Sequence, residues 1–271
     1  MQELLIEAGH VERNYWRDLW RYRELFYFLS WRDILVRYKQ TVLGVAWALI
    51  QPFLTMVIFT IVFGRIAKLP SGGAPYPIFV FSALLPWQFF ARSFSEGAAS
   101  LVTNTNLISK VYFPRLIVPA ASVMVGLVDF LISFGLLAVL MAWYGYWPGA
   151  RMLALLILVP AAIFTSIGPG LWIAALNVKY RDVRYLVPFI VQLGLYISPV
   201  GFSSDMVPPQ WRLVYSLNPM VGLIDGFRWA IVGRKTLYLP GILLSLAVSV
   251  TFLAFGIWYF RKTERSFADV I

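Results

Sequence analysis

VRYKQTVLGVAWALIQP, residues 36–52, passes within a few positions from a cationic, hydrogen-bonding segment to an apolar one. Arg37, Lys39, Gln40 and Thr41 crowd its first half. Trp47, Leu49 and Ile50 fill the second and lead into about a dozen more apolar residues. A helix that crosses a bilayer core needs roughly 20 apolar residues, with cationic side chains left at the headgroup level. The stretch therefore reads as the entrance to a membrane span. Topology alone accounts for its charge, but not for Gln40, Thr41, Trp47 and Gln51. Positions 40, 44, 47 and 51 fall near one helical face, and Gly44 permits close approach there. That face is expected to look into a channel mouth.

The rest of the chain supports a membrane reading. Of 271 residues, 60% are hydrophobic and only 13% charged, against about 45–50% and about 25% in ordinary soluble domains. Such an excess cannot be hidden in a soluble core. The fold expected is all-α and polytopic, with six spans at about 43–64, 77–99, 116–145, 152–176, 184–202 and 239–260. A cytoplasmic segment at 1–42 precedes this 43–260 membrane domain, and a cytoplasmic tail at 261–271 follows it. VERNYWRDLWRYRELFYFLSWRD (11–33) places Trp16, Leu19, Trp20, Arg23 and Tyr27 at helical spacing, the pattern of an amphipathic helix lying in the interface. Residues 203–238 hold apolar runs too short to cross, which suits re-entrant or interfacial half-helices. The loop at 65–76 reads as a turn-rich connection.

Six spans place both termini on one side. That side carries fifteen Lys and Arg residues against seven on the other, so both termini are expected in the cytoplasm. The net charge of +10 then reflects anionic lipid rather than nucleic acid.

Composition also excludes chemistry. There are no cysteines and one histidine, His10, which removes thiol catalysis, disulfides and a His-based metal site. His10 reads as a solvated residue near the terminus. No phosphate-cradling loop, metalloprotease motif or nucleophile elbow occurs; VGRKT (232–236) lacks the upstream glycine and the Gly-Lys pair. The chain is expected to have no catalytic residues, no metal and no cofactor of its own.

Three ionisable residues lie inside spans. Arg92 and Glu96 share a helix face, and Asp129 sits deep in the third span. Charges at such depth face a bundle interior or a wet cavity. They are either a polar lining of a transport route or a structural brace in which Asp129 meets Arg92. The abundant aromatics, among them Trp47, Phe59, Phe63, Trp87 and Tyr112, would suit a glycan path, because sugar faces stack on aromatic rings; most of them would equally suit lipid contact or helix packing.

Four ordered stretches carry a resemblance: RDILVRYKQTVLGVAWALIQP (32–52), NTNLISKVYFPRLIVP (104–119), NVKYRDVRYLVPFIVQLGLYISPVGF (177–202) and LNPMVGLIDGFRWAIVG (217–233). Together they resemble the permease subunit of ABC-2 type exporters of surface polysaccharides, the O-antigen, capsule and teichoic-acid group, over about residues 30–262. The resemblance implies a homodimer in the bacterial inner membrane. It also implies two copies of a separate ATPase subunit that bind ATP and magnesium, and a polysaccharide linked to undecaprenyl diphosphate as cargo. Segments 100–115 and 177–185 are similar to the cytoplasmic coupling helices, making Lys110, Tyr112, Arg115, Tyr180, Arg181 and Asp182 the expected ATPase contacts. Segment 208–232 is similar to the family's external gate helices. There Asn218 and Pro219 would break the helix, and Asp225 could pair with Arg228 one turn on. Arg37, Lys39, Gln40, Trp47 and Gln51 become the expected entrance for the lipid diphosphate. Asp225, where some relatives have Glu, and Phe202, where some have Tyr, leave the glycan subtype open.

Other readings stay open. An exporter of drugs or other lipids would share the fold. A membrane glycosyltransferase would need a carboxylate cluster, and 203–238 offers only Asp205 and Asp225. An assembly subunit would have little use for intramembrane charges.

Overall fold

The computed structural model describes residues 15–39, 44–147, 149–180, 182–233, 237–264 and 267. Gln40, Thr41, Arg181 and His10 lie outside these residues, as do the side chains of Gly44 and Val45. Every regular element among the described residues is helical: α1 (Tyr15–Arg21), α2 (Arg23–Lys39), α3 (Gly44–Phe59), α4 (Tyr76–Thr103), α5 (Thr105–Lys110), α6 (Ile117–Trp143), α7 (Leu155–Lys179), α8 (Val183–Ile197), α9 (Pro209–Tyr215), α10 (Pro219–Val232) and α11 (Leu239–Thr263). A π-helical stretch, Thr60–Ile66, prolongs α3.

Four of these are long and apolar enough to cross a membrane: Ala46–Ile66, Ile117–Trp143, Ala150–Lys179 and Leu239–Thr263. The second and fifth expected spans form helices α4 and α8. α4 has the length but carries Arg92 and Glu96, and α8 is apolar but only 15 residues long. The single amphipathic helix expected before the first span is two helices with a break at Tyr22.

α4 is the centre of the bundle. Ile78 through Trp87 are all buried, with no lipid-facing stripe, and α4 packs on α6, α7, α10, α3 and α8. The outer helices behave differently. Phe53, Leu54 and Ile58 on α3, Leu186, Phe189 and Leu193 on α8, and Leu243 and Val250 on α11 are exposed and apolar, a surface that water would not tolerate but lipid does. α7 and α11 pack backbone to backbone: a Cβ on Gly256 would land on the Gly168 carbonyl oxygen.

One end of the bundle gathers the chain's outer segments. Tyr15, Leu29, Leu101, Ile108, Phe113, Phe260 and Phe267 form one apolar cluster there. At the other end Tyr76 donates to the Gly201 carbonyl at 2.8 Å, and Tyr215 to that of Ile197 at 2.8 Å. The break at Asn218–Pro219 is as the sequence requires. Asn218 caps α10, its side chain accepting from Met220 N–H at 3.0 Å, and Pro219 occupies a first-turn position where its missing N–H costs nothing. α10 ends on Gly233, whose φ of 70° closes the last turn onto Trp229 O.

A polar cleft as the candidate functional site

α3 turns Trp47, Gln51 and Thr55 to one side, each one turn from the next. α4 turns Gln88, Arg92 and Glu96 towards them at the same spacing. Between these two rows, and walled further by α2, α6 and α8, lies a cleft of two adjoining cavities, about 410 Å³ and about 670 Å³, that share lining residues. Arg37, Gln51, Arg92 and Glu96 line both parts. The wider part reaches Asn104 at the end of α4 that carries α5, and the deeper part reaches Leu84 and Leu85, Val191 and Leu195. At 1.5 Å per residue, the wall from Asn104 to Leu84 runs about 30 Å, the thickness of a bilayer core. Pro52 cannot donate to the carbonyl of Ala48, and both residues line the deeper part. The amides of Gln51 and Gln88 line the same part.

A charge network stands where the two parts meet. Arg37 Nη2 of α2 and Arg92 Nε of α4 each lie 2.9 Å from Oδ2 of Asp129 on α6. Arg92 Nη2 lies 3.7 Å from Oε1 of Glu96. Tyr38 donates its hydroxyl to Oδ1 of Asp129. Burial, and then that bond, push the Tyr38 hydroxyl up to about 12, so it stays a donor throughout the physiological range. The close approach has a local cause. A Cβ on Gly126 would sit 2.5 Å from Ser93 Oγ, so glycine lets α6 settle against α4 one turn from Asp129 and next to Arg92.

The expected entrance residues thus separate. Arg37 and Gln51 line both parts of the cleft, Trp47 lines the wider part, and Lys39 is exposed at the end of α2 beside Phe28 and Trp31. Arg92, Glu96 and Asp129 come together with Arg37, joining two groups that the sequence treats apart. Tyr38 and Gln88 were missed. Gln88 was legible, because 88, 92 and 96 form a polar stripe along a largely apolar helix; Tyr38 had no such signal.

Of the expected ATPase contacts, Lys110, Tyr112, Tyr180 and Asp182 are exposed. Arg115 is engaged inside the protein: its N–H donates to Glu264 Oε1 at 2.7 Å and its guanidinium to the Glu264 carbonyl oxygen. At the opposite end Arg228 is fully buried. It donates to Val200 O and Phe202 O, each at 2.7 Å, and covers the Phe79 ring at 3.9 Å. It ties α10 to α4 and to the segment after α8. Asp225 lies on the same helix, partly exposed.

Residues 24–232 match the ABC-2 type transporter family. The chain belongs to that family. This ABC-2 transporter chain is 28% identical over 259 residues to the O-antigen export system permease protein RfbA of Myxococcus xanthus, covering 94% of this chain and 98% of the relative. It is 27% identical over 257 residues to the RfbA permease of Klebsiella pneumoniae, covering 92% and 95%. It is 24% identical over 228 residues to the polysialic acid transport protein KpsM of Escherichia coli, covering 82% and 84%. An ABC-2 membrane protein accounts for the apolar outer faces of α3, α8 and α11 and for charged and amide side chains lining a cleft between helices.

Proposed function

We propose that this ABC-2 permease exports an O-antigen polysaccharide carried on undecaprenyl diphosphate across the bacterial inner membrane. α3 with its π-helical end, α4, α6, α7, α8 and α11 make six spans within the 43–260 membrane domain. Segments 1–42 and 261–271 lie in the cytoplasm. α9 and α10 dip back from the outer side as a gate. Asn218 and Pro219 form its turn, Asp225 belongs to its wall, and Arg228 holds it to α4. Two copies of the chain pair, and two copies of a separate ATPase subunit, which bind the ATP and magnesium, dock through Lys110, Tyr112, Tyr180, Arg181 and Asp182.

The cleft carries the reading. Trp47 and Trp87 supply apolar faces for sugar rings, while Gln51 and Gln88 supply polar groups for their hydroxyls. Arg37 and Lys39 draw the diphosphate to its cytoplasmic mouth. The names of the relatives, two O-antigen permeases and a polysialic acid transporter, point to the same class of cargo.

Deleting the gene should remove the surface glycan, and the purified complex with its ATPase should hydrolyse ATP faster when supplied with lipid-linked glycan. Intact surface glycan together with indifferent hydrolysis would refute the assignment.

A further inference from the structure

The network around Asp129 is neutral in sum: Arg37 and Arg92 against Asp129 and Glu96. As a brace it is poorly finished. Arg92 Nε lies 2.9 Å from Oδ2 yet is buried without hydrogen-bond alignment. Its other carboxylate contact, to Glu96, is 3.7 Å long, beyond hydrogen-bond range. Oδ2 of Asp129 is likewise buried without an aligned donor. Among the described residues Arg92 is held by charge rather than by the paired hydrogen bonds a guanidinium makes with a well-placed anion. Purely structural ion pairs at depth gain little over apolar packing. The network also forms a wall of an open cleft, so an anion with more oxygens and more charge could reach it.

We propose that Asp129 is a resident counter-anion, occupying in the empty protein the arginine pair that a diphosphate headgroup takes on entry. The inference rests on the lipid-diphosphate reading above and deepens it. Arg92 becomes the second phosphate-binding arm beside Arg37. A diphosphate offers oxygens enough for both guanidinium groups, whereas both now crowd one carboxylate oxygen. Asp129 is not orphaned by the exchange, because Tyr38 still donates to Oδ1. The exchange also has a mechanical effect. Arg37 and Tyr38 both tie α2 to α6 through Asp129, so drawing Arg37 onto the headgroup loosens α2 at the mouth of the cleft. Cargo would open its own entrance, and an empty permease would keep it latched.

The test is a binding titration on the purified permease–ATPase complex with three probes: undecaprenyl diphosphate, inorganic pyrophosphate and phosphatidylglycerol. Asp129→Asn should tighten binding of undecaprenyl diphosphate about tenfold by removing the competitor, and Arg92→Gln should weaken it about tenfold. Binding of phosphatidylglycerol should change with neither. Pyrophosphate following the same order would place recognition in the phosphates, and pyrophosphate failing to bind would place part of it in the lipid; either supports the exchange if the two variants shift as stated. Should Asp129→Asn fail to fold, hydrogen exchange of the unmodified complex decides: saturating undecaprenyl diphosphate should speed exchange in residues 33–39 at least about threefold. Wild-type binding with unchanged affinity in both variants, or slower exchange in 33–39, overturns the inference while leaving the transport reading intact. No wild-type binding of undecaprenyl diphosphate overturns both.

Discussion

The main-chain N–H of Arg115 donates to Oε1 of Glu264 at 2.7 Å, tying the segment between α5 and α6 to the end of α11. The Arg115 guanidinium donates to the Glu264 carbonyl oxygen, and lies 5.9 Å from the Phe267 ring. Beside it, the Arg261 guanidinium stands over the Tyr15 ring at 4.6 Å. A push on residues 105–115 therefore reaches α11 and α1 as well as α6. Glu264→Ala should free the Arg115 amide, and its hydrogen exchange should quicken about tenfold, the equivalent of one lost hydrogen bond. Unchanged exchange would dismiss the tie.

Arg228 has no route to water, and its removal leaves the carbonyls of Val200 and Phe202 without their donor. Arg228→Met should cost about 3 kcal/mol, a fall in melting temperature of roughly 6–12 °C for a chain of this size. Because the chain has no cysteine, Phe202→Cys gives a single reporter. Its maleimide labelling should accelerate in the Arg228→Met background, and equal rates would show that Arg228 does not hold this segment.

The α7–α11 contact has no room for a side chain at Gly256, whereas a Cβ on Gly135 meets nothing within 4 Å. Gly256→Ala should destabilise by about 1–3 kcal/mol through overpacking. Gly135→Ala should be neutral or stabilise by about 0.5–1 kcal/mol through lost chain entropy. Thermal unfolding of the two variants in one detergent checks the contrast. Equal melting temperatures would contradict the packing.

Asp182 is exposed and precedes α8 without making a side-chain cap. Reversing its charge should cost the fold only about 0.3–1 kcal/mol at the helix N-terminus. If this face receives the ATPase, Asp182→Lys should sharply reduce co-purification of that subunit while the permease melts nearly as before. Full co-purification with full stimulated hydrolysis would remove Asp182 from the docking face.

Much of the fold was legible because membrane helices are written locally. Length, apolarity and flanking charge placed six segments to within a few residues of the helical boundaries. Asn218, Pro219 and Gly233 marked α10 through backbone chemistry that needs no distant partner. Less legible was which segments owe their burial to protein rather than lipid. α4 and α3 are both apolar, yet α4 is enclosed and α3 is largely exposed. Apolarity cannot separate these cases, since side chains and lipid tails are equally good solvents for a helix.

The site divides in the same way. Residue type and helical spacing are enough to make the chain helical and membrane-embedded, to gather cations just before the first long apolar helix, and to set Arg92 and Glu96 on one face. Helix packing brought together Arg37 and Asp129, 92 positions apart in the numbering, as one ion pair. It also decided that Arg115 faces Glu264 rather than solvent, and that Arg228 reaches past its own helix to carbonyls after α8. Such pairings depend on which helices lie side by side and how deeply each is set. Those are properties of the packed bundle, and no local period in the chain encodes them.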